Sequence, residues 1–286
     1  MIGRKSPLEL CFQLAAMISG GLIIAVFLLM LYLAWPLLEG GEIIDLLRGE
    51  WQPTVGKYGI YPMLLGSMQI SILAVCISLP LSLGSASVIT VLAPRGLRPR
   101  LLGMVRLMAG VPTVVYGFVA IFLLVPFMRE MITGGSGFSI LTAALILALL
   151  IAPTMITLFI SGLQNVPAPY SRAADALGAR PIQRLLYVLL PQCLPAISAG
   201  IILGLGRAMG DTLISLMLAG NSIAVPESIT EPGRSLTSHI ALVIAADFSS
   251  MEFKTIFACA LVLYLFTLLF VATLHLISSR VGKNLR

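Results

Sequence analysis

The chain has 286 residues, of which 58% are hydrophobic and only 10% charged, against ~25% charged in an ordinary soluble domain. With a mean hydropathy of +1.03, this excludes a soluble globular enzyme, a disordered chain and a secreted disulfide scaffold. The composition is that of a polytopic membrane protein, whose net charge of +6 needs an account from topology or from an anionic partner.

Six runs are long enough to cross a bilayer, which takes ~20 apolar residues as helix. They are 11–34, 64–92, 103–127, 138–162, 190–219 and 253–278. The first follows Arg4 and Lys5 as a signal peptide would, but its apolar run is too long for one and lacks a small-x-small cleavage site. It is read as an uncleaved helix. With its outer loop it forms an N-terminal unit, 1–63, ahead of a five-span core, 64–286.

The second run is seeded with Ser67, Gln69, Ser71, Ser78, Ser82, Ser85 and Ser87 and interrupted by Pro80, while Pro112 interrupts the third. Proline frees a backbone carbonyl, which then needs another partner or a wet cavity. The serines either line such a cavity or bond to their own helix. The outer stretch 235–247 is apolar but too short to span, which suits a re-entrant or surface-lying helix.

The loops orient the chain. With the N-terminus inside, the N-tail carries net +1, the second-to-third connection +4, the fourth-to-fifth +2 and the C-tail +3, a total of +10. The opposite face totals −4. The positive-inside rule therefore predicts both termini in the cytoplasm. The basic excess is a topology signal and not a nucleic-acid patch.

Two segments carry candidate function. The first is the cytoplasmic loop 166–191. Pro167 and Pro169 end the preceding helix, Ser171 offers an N-cap, Gly178 suits the residue after a helix end, and Pro181 suits a first helical position. The spacing predicts a short exposed helix-turn-helix of small and cationic side chains, open to close approach by another protein. It equally describes an ordinary surface loop.

The second is the run 190–219, which holds Arg207 and Asp211. Each deep charge costs about 2.5–3.5 kcal/mol on insertion scales. As one helix, the run places Gly200, Gly204, Arg207, Asp211 and Ser215 on one face. This predicts a polar pathway lined by Arg207, Asp211, Gly204 and Ser215, with Gly206 and Gly210 a second small pair on an adjacent face. The alternative is a self-satisfied ion pair at i, i+4. An arginine fork suits an oxyanion. A carboxylate beside it makes sense if the anion carries a proton: phosphate donates a hydrogen bond to Asp211, and sulfate cannot.

No catalytic constellation is visible. Cys11, Cys76, Cys193 and Cys259 are read as packing residues, His239 and His275 are far apart, and no P-loop occurs. No metal site, no cofactor in this chain and no enzymatic role are expected.

The loop residues Ala173, Ala174, Gly178, Val188, Leu190 and Pro191 resemble the EAA loop of ABC importer permeases, with Arg172 at the usual Glu position. The stretches GRAMGDTLISLMLAGN (206–221) and AGVPTVVYG (109–117) are similar to the phosphate permease family PstC, and Asp211 stands where Glu is usual. The resemblance implies an all-α MetI-like permease fold with six transmembrane helices. It implies that Arg172, Ala173, Ala174, Asp175 and Gly178 couple to a cytoplasmic PstB-like ATPase dimer, which carries ATP and Mg, and that Arg207 and Asp211 serve phosphate passage. The implied partners are a PstA-like second permease and a PstS-like binding protein, in the bacterial inner membrane. Another oxyanion, such as molybdate or sulfate, is the first alternative. A proton-coupled secondary transporter with Asp211 as proton carrier, or an intramembrane enzyme, are others.

Overall fold

A computed structural model describes residues 7–39, 43–132, 135–248 and 250–284. The basic tail residues Arg4, Lys5 and Arg286, and the side chains of His275, Arg280 and Lys283, lie outside the described set.

Helix α1 (Pro7–Glu39) enters first. A short α2 (Ile43–Arg48) and a two-stranded ribbon follow, β1 (Trp51–Gln52) and β2 (Lys57–Tyr58), antiparallel with Trp51 opposite Tyr58. The next helices are α3 (Tyr61–Ser87), α4 (Arg98–Gly110), α5 (Thr113–Met131) and α6 (Ile140–Gln164). The loop that follows holds α7 (Ala168–Ala176) and α8 (Pro181–Arg184). Then come α9 (Leu190–Gly210), α10 (Leu213–Leu218), α11 (Leu236–Val243) and α12 (Met251–Asn284). Among the described residues, six helical stretches are long and apolar enough to cross a membrane: Leu8–Pro36, Tyr61–Leu92, Thr113–Met131, Ile140–Gln164, Pro181–Gly210 and Met251–Thr273.

The core forms around α6, which is apolar nearly all round and packs on α3 and α9. Ile140, Ala143, Ala144, Leu147, Ile151, Met155 and Phe159 recur at helical spacing and are fully buried. The facing stripe of α3 is small: Ser67, Ser71, Ala74, Ser78, Ser82 and Ala86 are all buried. Small side chains let two helices approach, and their hydroxyls find partners inside the fold. Ser71 donates to the carbonyl of Ser67 at 2.7 Å, and Ser82 to that of Ala152 at 3.4 Å. The buried α3 serines are therefore packing residues and not a wet lining. In contrast, no described α1 residue before Ala34 is buried. α1 leans on α12, with Phe27 and Tyr264 ring centroids 5.2 Å apart.

Two of the six expected runs divide differently. The third, 103–127, breaks at Val111–Pro112. Proline disfavours helical backbone in the residue before it, and Val111 is extended (φ −74°, ψ 126°). The amphipathic α4 ends there and the span starts at Thr113. The Tyr116 hydroxyl donates across the corner to the Met108 carbonyl at 3.0 Å. The fifth run, 190–219, is not one helix. Its helical rod begins earlier, at Pro181, passes through a π-turn at 185–189 and stops at Gly210. Asp211 is extended (φ −76°, ψ 120°) before α10 begins.

The outer stretch 235–247 folds inward. Ser235 caps α11 by accepting from Ser238 N–H at 3.0 Å, and Leu236 N–H donates to Ser67 Oγ at 2.8 Å. Gly66 makes the approach possible, since a Cβ there would fall 2.3 Å from the Arg234 carbonyl oxygen. His239 is fully buried with its ring edge-on to Trp51 at 4.4 Å.

Candidate functional site

The α6–α9 seam decides which face of α9 remains open. A Cβ at Gly200 would lie 2.4 Å from Phe159 Cε1, and one at Gly204 3.0 Å from Met155 Sδ. Both glycines are buried against α6. Gly206 and Gly210 would meet nothing within 4 Å. Apart from Leu194, the exposed residues of α9 run Gln192, Pro195, Ala199, Leu203, Arg207 and Gly210, one helical stripe. Gly200 and Gly204 thus admit another helix and not the substrate: Gly204, expected on the pathway, is a packing residue, and the open pair is Gly206 with Gly210.

Arg207 stands exposed on that stripe. Its Nη1 donates to Thr154 Oγ1 of α6 at 2.9 Å. Among the described residues no carboxylate lies within ion-pairing distance of it. Asp211 is occupied elsewhere: its Oδ1 accepts the Ile214 N–H at 2.8 Å, capping α10. Its backbone carbonyl accepts from the hydroxyls of Thr237 at 3.0 Å and Ser215 at 3.3 Å. The alternative i, i+4 ion pair is therefore absent, because the helix ends before Asp211 and the carboxylate turns to satisfy the next helix start. Ser215 is 2% exposed and bonded to Asp211. It belongs to the interior and not to an open pathway.

Beside Arg207, α6 presents Thr154, Thr157, Ser161 and Gln164 at helical spacing. Thr154 is half-buried and the other three are exposed. This polar stripe on an otherwise apolar helix went unremarked in the sequence, although its 3-4-3 spacing was there to see.

The loop 166–191 follows its expected boundaries closely. Gly178 takes the left-handed conformation (φ +76°) past the end of α7, and its N–H donates to the Asp175 carbonyl at 3.0 Å. Pro181 is the first residue of α8. Ser171 is not the N-cap; Pro167 is, and helix starts at Ala168 because the pyrrolidine of Pro169 already supplies helical φ. Of the expected coupling residues, Arg172, Ala173 and Gly178 are exposed. Ala174 turns inward and is buried. Asp175 is held by Arg184, whose Nη1 donates to both carboxylate oxygens at 2.7 Å. Leu177 projects from the tip at 89% exposure, with Tyr170 half exposed.

Residues 78–283 match the family described as binding-protein-dependent transport system inner membrane component. The chain belongs to that family. It is 32% identical over 268 residues to the probable ABC transporter permease protein YqgH of Bacillus subtilis, covering 92% of this chain and 87% of that one. It is 32% identical over 250 residues to the phosphate transport system permease protein PstC of Xylella fastidiosa, covering 81% and 75%. Among solved structures, a chain of the bacterial alginate ABC transporter aligns with a TM-score of 0.64 at 15% identity, over 95% of this chain and 96% of that one. A chain of the MetNI methionine ABC transporter aligns at 0.58 and 16%, over 77% and 93%. These identities speak for the fold alone, which is the expected MetI-like permease fold. The permease is thus a multi-pass membrane transport component and not an enzyme, which sets aside the secondary-transporter and intramembrane-enzyme alternatives.

Proposed function

We propose that this permease is the membrane subunit of an ATP-driven phosphate importer. The observation that carries the reading is Arg207, an open guanidinium held by a neutral hydroxyl, with no carboxylate within ion-pairing distance among the described residues although Asp211 lies near enough to feel its charge. A membrane-embedded cation with no carboxylate bonded to it is a site for an anion, and its planar fork suits an oxyanion. The relatives named as phosphate permeases point to which oxyanion. Asp211 keeps one carboxylate oxygen without a partner among the described residues, available to accept a hydrogen bond from protonated phosphate.

In this reading a PstA-like second permease covers the open stripe of α9 and completes the pathway. A PstB-like ATPase dimer, holding ATP and Mg, receives Tyr170, Arg172, Ala173, Leu177 and Gly178 in a surface groove. A PstS-like binding protein delivers phosphate to the outer loops. Both termini face the cytoplasm of the bacterial cell. The rod Pro181–Gly210, about 45 Å long at 1.5 Å per residue, links the coupling loop directly to Arg207. Movement of the ATPase pair is passed to the pathway as a rigid-body shift.

The test is uptake of radiolabelled phosphate by vesicles carrying the whole transporter, with and without ATP, against competing sulfate and molybdate. Arg207→Ala in an assembled complex is expected to abolish ATP-driven uptake. Unchanged uptake refutes the pathway role of Arg207. Stronger competition by sulfate or molybdate than by unlabelled phosphate reassigns the oxyanion.

A further inference from the structure

Threonine inside a membrane helix usually returns its hydroxyl hydrogen to a carbonyl one turn back, since lipid offers no other acceptor. This chain follows that habit at Thr90 to Ala86, Thr157 to Pro153, Thr267 to Leu263 and Thr273 to Leu269, with distances of 2.6–3.0 Å. Thr154 departs from it. Its Oγ1 turns across the seam and accepts from Arg207 Nη1 at 2.9 Å. A guanidinium can only donate, so the Thr154 hydroxyl hydrogen is left over. No acceptor takes it among the described residues.

Arg207 is likewise only partly used. Its Nε and Nη2 have no partner among the described residues. An unspent hydroxyl hydrogen and unspent guanidinium N–H groups therefore stand side by side at the open edge of the seam, with no carboxylate bonded to either among the described residues. All are donors. An oxyanion is the complementary ligand, because its several oxygens accept from every one of them. Position supports this. Thr154 heads the polar stripe that continues through Thr157, Ser161 and Gln164 to the end of α6.

We propose that the Thr154 hydroxyl is the second ligand of the oxyanion held by Arg207, with its oxygen orienting the guanidinium and its hydrogen bonding the anion. This rests on the phosphate-permease reading and adds a named specificity residue to that site. Thr154→Val keeps the side-chain shape and removes both functions; Thr154→Ser keeps both. No covalent step is involved.

The experiment measures initial rates of ATP-driven uptake of inorganic phosphate in vesicles with the complete transporter. Wild type, Thr154→Val, Thr154→Ser and Arg207→Ala are compared, with assembly scored by co-purification of the other subunits. Thr154→Val is expected to raise KM about tenfold or more with Vmax within about twofold, as losing a hydrogen bond to a charged group implies. Thr154→Ser is expected to stay within about threefold of wild type. Wild-type KM in Thr154→Val, with Arg207→Ala inactive, overturns the inference and leaves the phosphate reading standing. Wild-type uptake in Arg207→Ala overturns both. A fall in Vmax at unchanged KM also overturns it, placing Thr154 in the conformational step. If Thr154→Val fails to assemble, Thr154→Ala is measured in its place against the same criteria.

Discussion

Gly200→Ala and Gly206→Ala add the same methyl group to the same helix six residues apart, and opposite outcomes are expected. At position 200 the methyl would fall 2.4 Å from Phe159 Cε1, where carbon atoms need about 3.5–4.0 Å. The ring would have to retreat by roughly 1.1 Å, yet Phe159 is fully buried and has no free space to enter. Overpacking of this kind costs about 1–3 kcal/mol, and replacing a helical glycine returns up to about 1 kcal/mol. A contact this short with a rigid ring belongs at the upper end, so the net is about 2 kcal/mol of destabilisation. At position 206 nothing stands within 4 Å, and only the favourable ~1 kcal/mol remains. The two variants should differ by about 3 kcal/mol in reversible unfolding of the purified protein in mixed detergent micelles. A difference below about 1 kcal/mol would show that α9 packs on α6 through another face, and the placement of Arg207 would fall with it.

Asp211→Asn should cost less than about 1 kcal/mol in stability, since asparagine caps a helix about as well as aspartate. It should narrow the preference for phosphate over sulfate in competition uptake, and equal discrimination in mutant and wild type would rule out a selective role for the carboxylate. Asp175→Asn removes a half-exposed ion pair with Arg184. Unfolding stability should change by no more than about 1 kcal/mol, while phosphate moved per ATP hydrolysed falls because α7 is no longer tied to the rod; an unchanged ratio would refute that tie. Burial lowers the imidazole of His239 to about 4, with the Arg234 cation adding to the effect. The folded state keeps this ring neutral while the unfolded chain takes up a proton below about 6.5. Its contribution is intact above that pH and is lost as pH falls towards 4. The unfolding temperature should decline across this window, and less steeply in His239→Gln; identical slopes would refute the assignment.

Much of this fold was written locally. Hydropathy located six spans because a bilayer demands about 20 apolar residues per helix whatever they pack against. The loop 166–191 was legible because Gly178 and Pro181 act on their own backbone dihedrals, and no distant residue is needed to fix them. The charged pair Arg207 and Asp211 stood out because deep charges are costly and therefore few.

What the sequence left open were the matters that depend on neighbours. Helical periodicity groups residues by face but does not say which face meets another helix. Gly204 and Ser215 were grouped with Arg207 on that ground, and the ring of Phe159 and the sulfur of Met155 drew the glycine face of α9 inward. The serines of α3 were open to either a wet lining or bonds within their own helix until α6 and α11 covered the buried ones. Periodicity also presumes an unbroken helix. The break at Asp211 is held by a cap to Ile214 and by Thr237 arriving from α11, a contact between residues far apart in the chain. Thr154 was unreadable for the same reason: it is an ordinary membrane threonine until Arg207, 53 residues further along the chain, takes its oxygen. The sequence by itself determined the spans, the turns and the presence of a deep cation. Only the tertiary structure decided which surface that cation faces and what holds it, because burial and hydrogen-bond partnership are properties of packed pairs and not of single residues.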